Sequence, residues 1–461
     1  MKLTLENLHE YNHIHLIGIG GVSMSAIAET LHNWNYTVTG SDAAQSELTD
    51  RLNNHGIKTT IGHDLENAKN ADLIIFSAAI KDEDPEMVIA KENNIPTIGR
   101  GEFVGLLTQK YKESICVAGT HGKTTTTSMI SICFVEAQKD PTVQVGAILK
   151  NIGGNYVIGN SEYFILESCE YKGNFLKFFP HTGIILNIDN DHLDYYKTFD
   201  NVVKAFQDFS LIIEEDGLLV TNGDDKNCLA LKDIVKCNFL SYGIENTNAD
   251  YVAKNISYDK NGFATFDVYK HNNLLGTISL SVAGTHNILN ALACITTCDY
   301  YGIDIETIQK SLKSFTGASR RLEYKGEINS CTIIDDYAHH PTEIKATATA
   351  IQNKEFNKSW VVFQPHTYSR TKEHLDYFAE SLLGFDNIIL LDIYAARETN
   401  TFDISSKDLE AKINALVPNK AIYIPDFNDV VSYLKEHISE NDIIITLGAG
   451  TVTEIGPMLL K

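Results

Sequence analysis

A glycine-rich turn ending in a lysine and two threonines, Gly119-Thr120-His121-Gly122-Lys123-Thr124-Thr125, separates the apolar run SICVA from a helical stretch. Backbone N–H groups at the start of a helix attract phosphate oxygens, so strand, turn and helix together make an anion cradle. In that setting Lys123 would reach the β- and γ-phosphates of a nucleotide, and the Thr124 hydroxyl would ligate Mg2+. The usual first glycine of the pattern falls at Val117, and the plainer reading is a tight turn with an exposed lysine. A second turn, Gly18-Ile19-Gly20-Gly21-Val22-Ser23, opens the first helix. Ser23 stands where a dinucleotide fingerprint has its third glycine, and Asp42 follows Gly20 by 22 residues, as a ribose partner would. This segment suits a dinucleotide, another pyrophosphate, or a turn kept for packing alone.

Four further groups leave strand-like runs. Glu167 ends YFILE, and His192 closes Asn187-Ile188-Asp189-Asn190-Asp191-His192 after GIILNI. A carboxylate and an imidazole there could hold a divalent ion, although each taken singly reads as a hydrogen-bonded surface or core residue. Asp335-Asp336-Tyr337-Ala338-His339-His340-Pro341 and Gln364-Pro365-His366-Thr367-Tyr368-Ser369-Arg370 follow two later runs. Their histidines read either as a site or as helix caps and exposed side chains. Arg320-Arg321 is a cationic pair whose default role is an interdomain ion pair.

The elements that must position these residues alternate. HIHLIGIG, YTVTG and ADLIIFSAA read as strands, with helices over Val22–Trp34 and SELTDRLNN between them. SICVAGT, YFILES and GIILNI continue as strands, with a helix over Thr124–Gln138. Alternation of this kind argues for parallel sheets covered by helices, with ligands at the strand C-termini. From Ala249 to Ala283 the pattern shifts to short alternating runs with bends at Asp-Lys-Asn-Gly and His-Asn-Asn, which predicts antiparallel hairpins. Helical patterns return at HNILNALACITTC and IETIQKSLKSF, and CTIIDDY, WVVFQPH, NIILLDIY, KAIYIPD and DIIITLG supply five more strands. The fold class is α/β. A chain of 461 residues makes roughly three domains at about 150 residues each.

The net charge of −22, from 60 acids against 38 bases, argues against nucleic acid and membrane surfaces as partners. An anionic ligand must then be captured locally, by backbone N–H groups, a metal or a few placed cations. Eight scattered cysteines without a C-x-x-C pair read as buried reduced thiols rather than disulfides or zinc ligands. The N-terminus carries acids where a secretory signal would be apolar, and no apolar run reaches the ~20 residues of a membrane span. A cytoplasmic protein without membrane insertion is expected.

Taken in order, AGTHGKTTTT, NIDNDHLDYY, HNILNALA, DDYAHHPTE and FQPHTYSRTK resemble the Mur ligase family of bacterial cell-wall synthesis. The likeness runs from GIGGVSMSAIAE to ITLGAGT, nearly the whole chain. It implies three domains: a Rossmann-like domain over 1–111 for a UDP-substrate, a central P-loop ATPase-type domain over 112–316, and a Rossmann-like ligase domain over 317–461. It also implies an ATP-dependent ligase that joins L-alanine to the carboxylate of UDP-N-acetylmuramate through an acyl phosphate. Reattachment of a recycled murein tripeptide to the same sugar nucleotide is the sister activity, differing only in the amino-acid pocket.

Carried over by position, the resemblance places Gly18, Gly20, Gly21, Val22, Ser23, Asp42, Arg320 and Arg321 on the UDP-substrate. ATP falls to Gly119, Thr120, His121, Gly122, Lys123, Thr124, Thr125 and Asn287. Thr124, Glu167 and His192 would hold Mg2+ or Mn2+, with Glu167 and His192 on a second ion between γ-phosphate and carboxylate. His366 and Arg370 would hold the acyl-phosphate region, and Tyr337 and His339 would face alanine. The chain departs from the family at Ser168-Cys169-Glu170-Tyr171, where many relatives read Ala-Asp-Glu-Ser, leaving Glu170 without a role. Lys204-Ala205-Phe206-Gln207 shows no match to the lysine that sister ligases carbamylate. A monomer and a homodimer both stay open. A nicotinamide oxidoreductase built on the first glycine turn would leave the phosphate loop and the histidine loops idle. An ATP-hydrolysing switch protein would need no small-molecule acceptor.

Overall fold

The computed structural model describes residues 3–396 and 398–461. The chain divides into two compact units, 1–250 with 293–307, and 251–292 with 308–461. In the first unit a five-stranded parallel sheet has the order Lys58–Ile61, Thr37–Asp42, His13–Ile17, Leu73–Phe76, Thr97–Gly99. Its central strand is buried at four of five positions, because helices cover both faces of a doubly wound sheet. Seven further strands of this unit follow the order Asn238–Gly243, Leu218–Asn222, Thr182–Ile185, Glu113–Ala118, Tyr163–Glu167, Thr142–Leu149, Gly154–Val157. All of these pair parallel except the last two. A single buried apolar cluster runs from Leu8 to Leu231 and draws on both sets of strands.

The second unit holds the antiparallel ladder of Tyr251–Tyr258, Phe263–Lys270 and Asn273–Ala283, as the alternating pattern predicts. It also holds a six-stranded sheet ordered Glu323–Ile328, Cys331–Asp336, Ile443–Leu447, Ser359–Phe363, Asn387–Leu390, Ala421–Tyr423. The five strands expected from the sequence pair parallel, and Glu323–Ile328 adds an antiparallel edge that the sequence reading did not include. That strand, EYKGEI, has no fully buried residue, so it lacks the apolar signature of its neighbours. Lys58–Ile61, Thr142–Leu149, Gly154–Val157, Leu218–Asn222 and Asn238–Gly243 are likewise additions. Lys58–Ile61 and Gly154–Val157 are short and lie at a sheet edge, where burial imposes little pattern.

Candidate active site

Strand Glu113–Ala118 has Thr182–Ile185 on one side and Tyr163–Glu167 on the other, so all three release their loops at one edge. Val117 lies inside the strand and accepts a hydrogen bond from Ser168 N (2.8 Å), which is why no glycine is needed there. The turn begins at Gly119, with φ +135°, where a Cβ would sit 2.9 Å from Leu186 Cβ. Gly122 is left-handed, φ +84°, and starts helix Lys123–Glu136. His121 N donates to Asn187 Oδ1 (2.8 Å), Asn187 Nδ2 donates to His121 O (3.0 Å), and Asp189 N donates to Thr120 Oγ1 (2.9 Å). The turn is thereby laced to the loop that carries His192.

Lys123 folds back over this turn. Its Nζ donates to Gly119 O (2.5 Å) and Thr120 O (3.0 Å) and reaches Glu170 Oε2 at 2.9 Å. Burial works against the ammonium, but the Glu170 carboxylate beside it, aided by Cys169 and Glu167, leaves the lysine pKa above its ordinary value. Burial likewise works against the Glu170 carboxylate, yet Lys123 and then His192 hold it below the usual range. His192 Nε2 lies 3.4 Å from Glu170 Oε1, its ring packs on Tyr171 at 4.8 Å, and its backbone is left-handed at φ 58°. The Tyr196 hydroxyl donates to the Glu170 backbone carbonyl. Glu170, left without a role at the sequence level, is therefore the buried centre on which Lys123 and His192 converge. Its neighbours Ser-Cys-x-Tyr offered no charge pattern to reveal that.

Thr124 Oγ1 donates to Glu167 Oε2 (3.2 Å), and Gly146 N donates to Glu167 Oε1 (2.5 Å). A Cβ at Gly146 would lie 2.7 Å from the Glu167 carboxylate, so this glycine makes room for the acid. Thr124 and Glu167 meet directly, a hydroxyl and a carboxylate of the kind that suits Mg2+ or Mn2+, whereas His192 is held against Glu170 rather than Glu167. Thr120 and Thr124 are nearly buried, and Thr125 lies in the first turn of the helix. Lys204 is exposed and pairs with Asp208 at 2.5 Å.

At the first glycine turn, Gly18 is left-handed at φ +80° and a Cβ there would meet Ser77 Cβ at 3.0 Å. Asp42 Oδ2 accepts from Gly20 N (2.8 Å), so this acid holds the turn itself. Gly21 is the cap residue of helix Val22–Asn33 and Val22 its first residue. The Ser23 hydroxyl takes Arg100 Nη1 (3.1 Å) and Gln144 Nε2 as donors, two partners that spacing alone did not indicate.

In the second unit the aromatic and cationic candidates form one stack. The guanidinium carbons of Arg320 and Arg321 lie 4.9 and 5.1 Å from the Tyr337 ring centroid. Tyr337 packs on His339 at 5.3 Å and His339 on His366 at 5.6 Å. Tyr394, not singled out from the sequence, stacks on the His366 ring at 5.7 Å. Arg370 Nη1 lies 3.3 Å from His366 Nδ1. Arg320 is held by Asp335 Oδ2 (3.3 Å) and Gly448 O (2.6 Å). The adjacent histidines divide their work. His340 caps helix Pro341–Gln352 with Glu343 in a reciprocal box, while His339 joins the stack. Asn287 donates to Ala283 O (2.7 Å) and accepts from Asn290 Nδ2 (3.0 Å) at the start of helix Thr285–Tyr300.

Comparison with known proteins gives the family of the chain. Residues 13–112 match the Mur ligase family catalytic domain, 117–298 the Mur ligase middle domain, and 320–450 the Mur ligase glutamate ligase domain. The chain is 46% identical to a UDP-N-acetylmuramate–L-alanine ligase of Acetivibrio thermocellus over 100% of this chain and 98% of that one. It is 48% identical to the protein of the same name from Clostridium acetobutylicum, over 97% of each. The crystal structure of UDP-N-acetylmuramate–alanine ligase from Thermotoga maritima superposes with a TM-score of 0.83 at 28% identity, covering 97% of this chain and 98% of that chain. The α/β architecture built on three sheets is shared with that structure. With near-half identity held across its whole length and matches to all three family domains, the chain belongs to the Mur ligase family.

Proposed function

We propose that the protein is an ATP-dependent ligase that joins L-alanine to the carboxylate of UDP-N-acetylmuramate, forming UDP-N-acetylmuramoyl-L-alanine, ADP and phosphate in peptidoglycan synthesis. The observation that carries the reading is the convergence of Lys123, Thr124, Glu167, Glu170 and His192 at one set of strand ends beside a glycine turn that opens a helix. The substrate choice rests on the full-length relatives of that name. Residues 1–111 would take the UDP-substrate, 112–316 ATP, and 317–461 the amino acid. The enzyme would work in the cytoplasm, where these nucleotides are made.

In the first step the substrate carboxylate attacks the γ-phosphorus of ATP, the bond to the β-phosphate oxygen breaks, and ADP leaves. Lys123 and the N–H groups of the turn neutralise charge on the phosphates. Thr124, Glu167 and His192 would hold Mg2+ or Mn2+, which would supply further charge neutralisation. In the second step the alanine amine attacks the acyl carbonyl, the tetrahedral intermediate expels phosphate, and the amine proton is lost. His366 and Arg370 would hold the acyl phosphate, and Tyr337 and His339 would position the amine. Water must be excluded meanwhile, since it would hydrolyse the acyl phosphate.

The test is phosphate release from Mg-ATP with UDP-N-acetylmuramate and each amino acid, or the murein tripeptide, in turn. Release that requires both the sugar nucleotide and L-alanine is expected. Release driven by the tripeptide, or needing no acceptor at all, would reject the reading.

A further inference from the structure

Three of the eight cysteines meet in the core of the first unit, away from the phosphate turn. Cys133 lies in the last turns of helix Lys123–Glu136, and Cys294 and Cys298 lie one turn apart on helix Thr285–Tyr300. Their Sγ atoms are 3.7 Å apart for Cys133 and Cys294 and 3.8 Å for Cys294 and Cys298. Cys298 also contacts Cys133, which closes the triangle, and all three sulfurs lie within 4.8 Å of one another. Each residue is wholly buried. The group contains sulfur ligands only, with no carboxylate or imidazole among them.

Charge decides which occupant suits such a place. A divalent ion held by three thiolates leaves one net negative charge in an apolar core, which is costly without a partner cation. A three-coordinate trivalent centre held by three thiolates is neutral and needs no fourth donor. We infer that Cys133, Cys294 and Cys298 form a binding site for a trivalent thiophilic metalloid, of which arsenite is the simplest form. In the binding reaction arsenous acid, As(OH)3, meets three neutral thiols. Three As–O bonds and three S–H bonds break, three As–S bonds form, and each hydroxide leaves with a thiol proton as water. Nothing is oxidised or reduced.

The bound centre would tie the C-terminal end of the phosphate-turn helix to helix Thr285–Tyr300. Binding to the folded chain alone would raise the melting temperature in proportion to the logarithm of arsenite concentration. The experiment incubates reduced protein with sodium arsenite, removes unbound arsenite and thiol reductants by gel filtration, and counts arsenic per chain. X-ray absorption then counts the sulfur neighbours. One arsenic per chain with three sulfur neighbours is expected. Cys133→Ala and Cys298→Ala should each weaken binding at least tenfold, and Cys237→Ala should leave it unchanged. No retained arsenic, fewer than three sulfur neighbours, or undiminished binding in Cys133→Ala would overturn the inference. So would cadmium retention without arsenite retention, and the wild-type sulfur count decides the matter even if a core variant fails to fold.

Discussion

At the scale of single residues, the candidate site is built around a buried lysine–glutamate pair. Lys123 is mostly buried and Glu170 almost wholly so, and removing one partner of such a pair leaves an uncompensated charge that costs on the order of 3 kcal/mol. Lys123→Ala is therefore expected to abolish phosphate release and to lower the melting temperature, while UDP-N-acetylmuramate binding, followed by calorimetry, stays nearly intact. The double variant Lys123→Met/Glu170→Gln should regain stability and remain inactive, and recovery of turnover in it would remove the phosphate role of Lys123. His192→Ala should raise the Mg2+ concentration needed for half-maximal turnover at least several-fold, whereas an unchanged metal titration would take His192 out of the ion site. Asp336 behaves differently. Burial raises its pKa to about 6, although Arg321 and the backbone N–H of Ala338 pull the other way. An acid raised in the folded state contributes stability below its ordinary pKa and loses it as pH climbs to the folded value. The window thus runs from about pH 4 to pH 6 and spans roughly 2–3 kcal/mol. Melting of the wild type should fall more steeply between pH 4.5 and pH 7 than that of Asp336→Asn, and parallel curves would refute the assignment.

At the scale of elements, close approach is bought with glycine. Helix Arg100–Lys110 packs on the turn Tyr171–Lys177 that follows Glu170, and two glycines face it. A Cβ at Gly101 would meet the Asn174 side chain at 2.5 Å, which can swing aside, whereas one at Gly105 would meet the Lys177 backbone carbonyl oxygen at 2.1 Å, which cannot. Glycine to alanine inside a helix ordinarily gains about 1 kcal/mol. Gly105→Ala should instead cost about 1–3 kcal/mol in thermal denaturation, while Gly101→Ala stays close to wild type. A stabilised Gly105→Ala would mean that helix and turn are not in contact in solution. The same logic explains Gly146, which leaves room for Glu167 and which no spacing rule had marked.

At the scale of the whole molecule, a net charge of −22 is a standing repulsion. Among the described residues no helix is long and apolar enough to cross a membrane. Screening should relieve that repulsion, so raising sodium chloride from 20 to 200 mM is expected to lift the melting midpoint by roughly 2 °C or more. A midpoint that falls with salt would show that local ion pairs outweigh the global field.

The sequence by itself determined the α/β class, the glycine turn between strand and helix at 119–123, the antiparallel excursion and the placing of the histidine loops after strands. Those features depend on local chemistry: buried strands are apolar throughout, glycine adopts positive φ, and ligands gather where parallel strands end. Only the tertiary structure decided which residues meet. Glu170 lies 47 residues from Lys123, Gly146 lies 21 from Glu167, and Tyr394 comes to His366 from the segment after strand Asn387–Leu390. It likewise separated His339 from His340, identical side chains one residue apart, because the helix that starts at Pro341 claims one as its cap and leaves the other to the stack. Contacts of that kind are set by sheet order and packing distance, which no local pattern records.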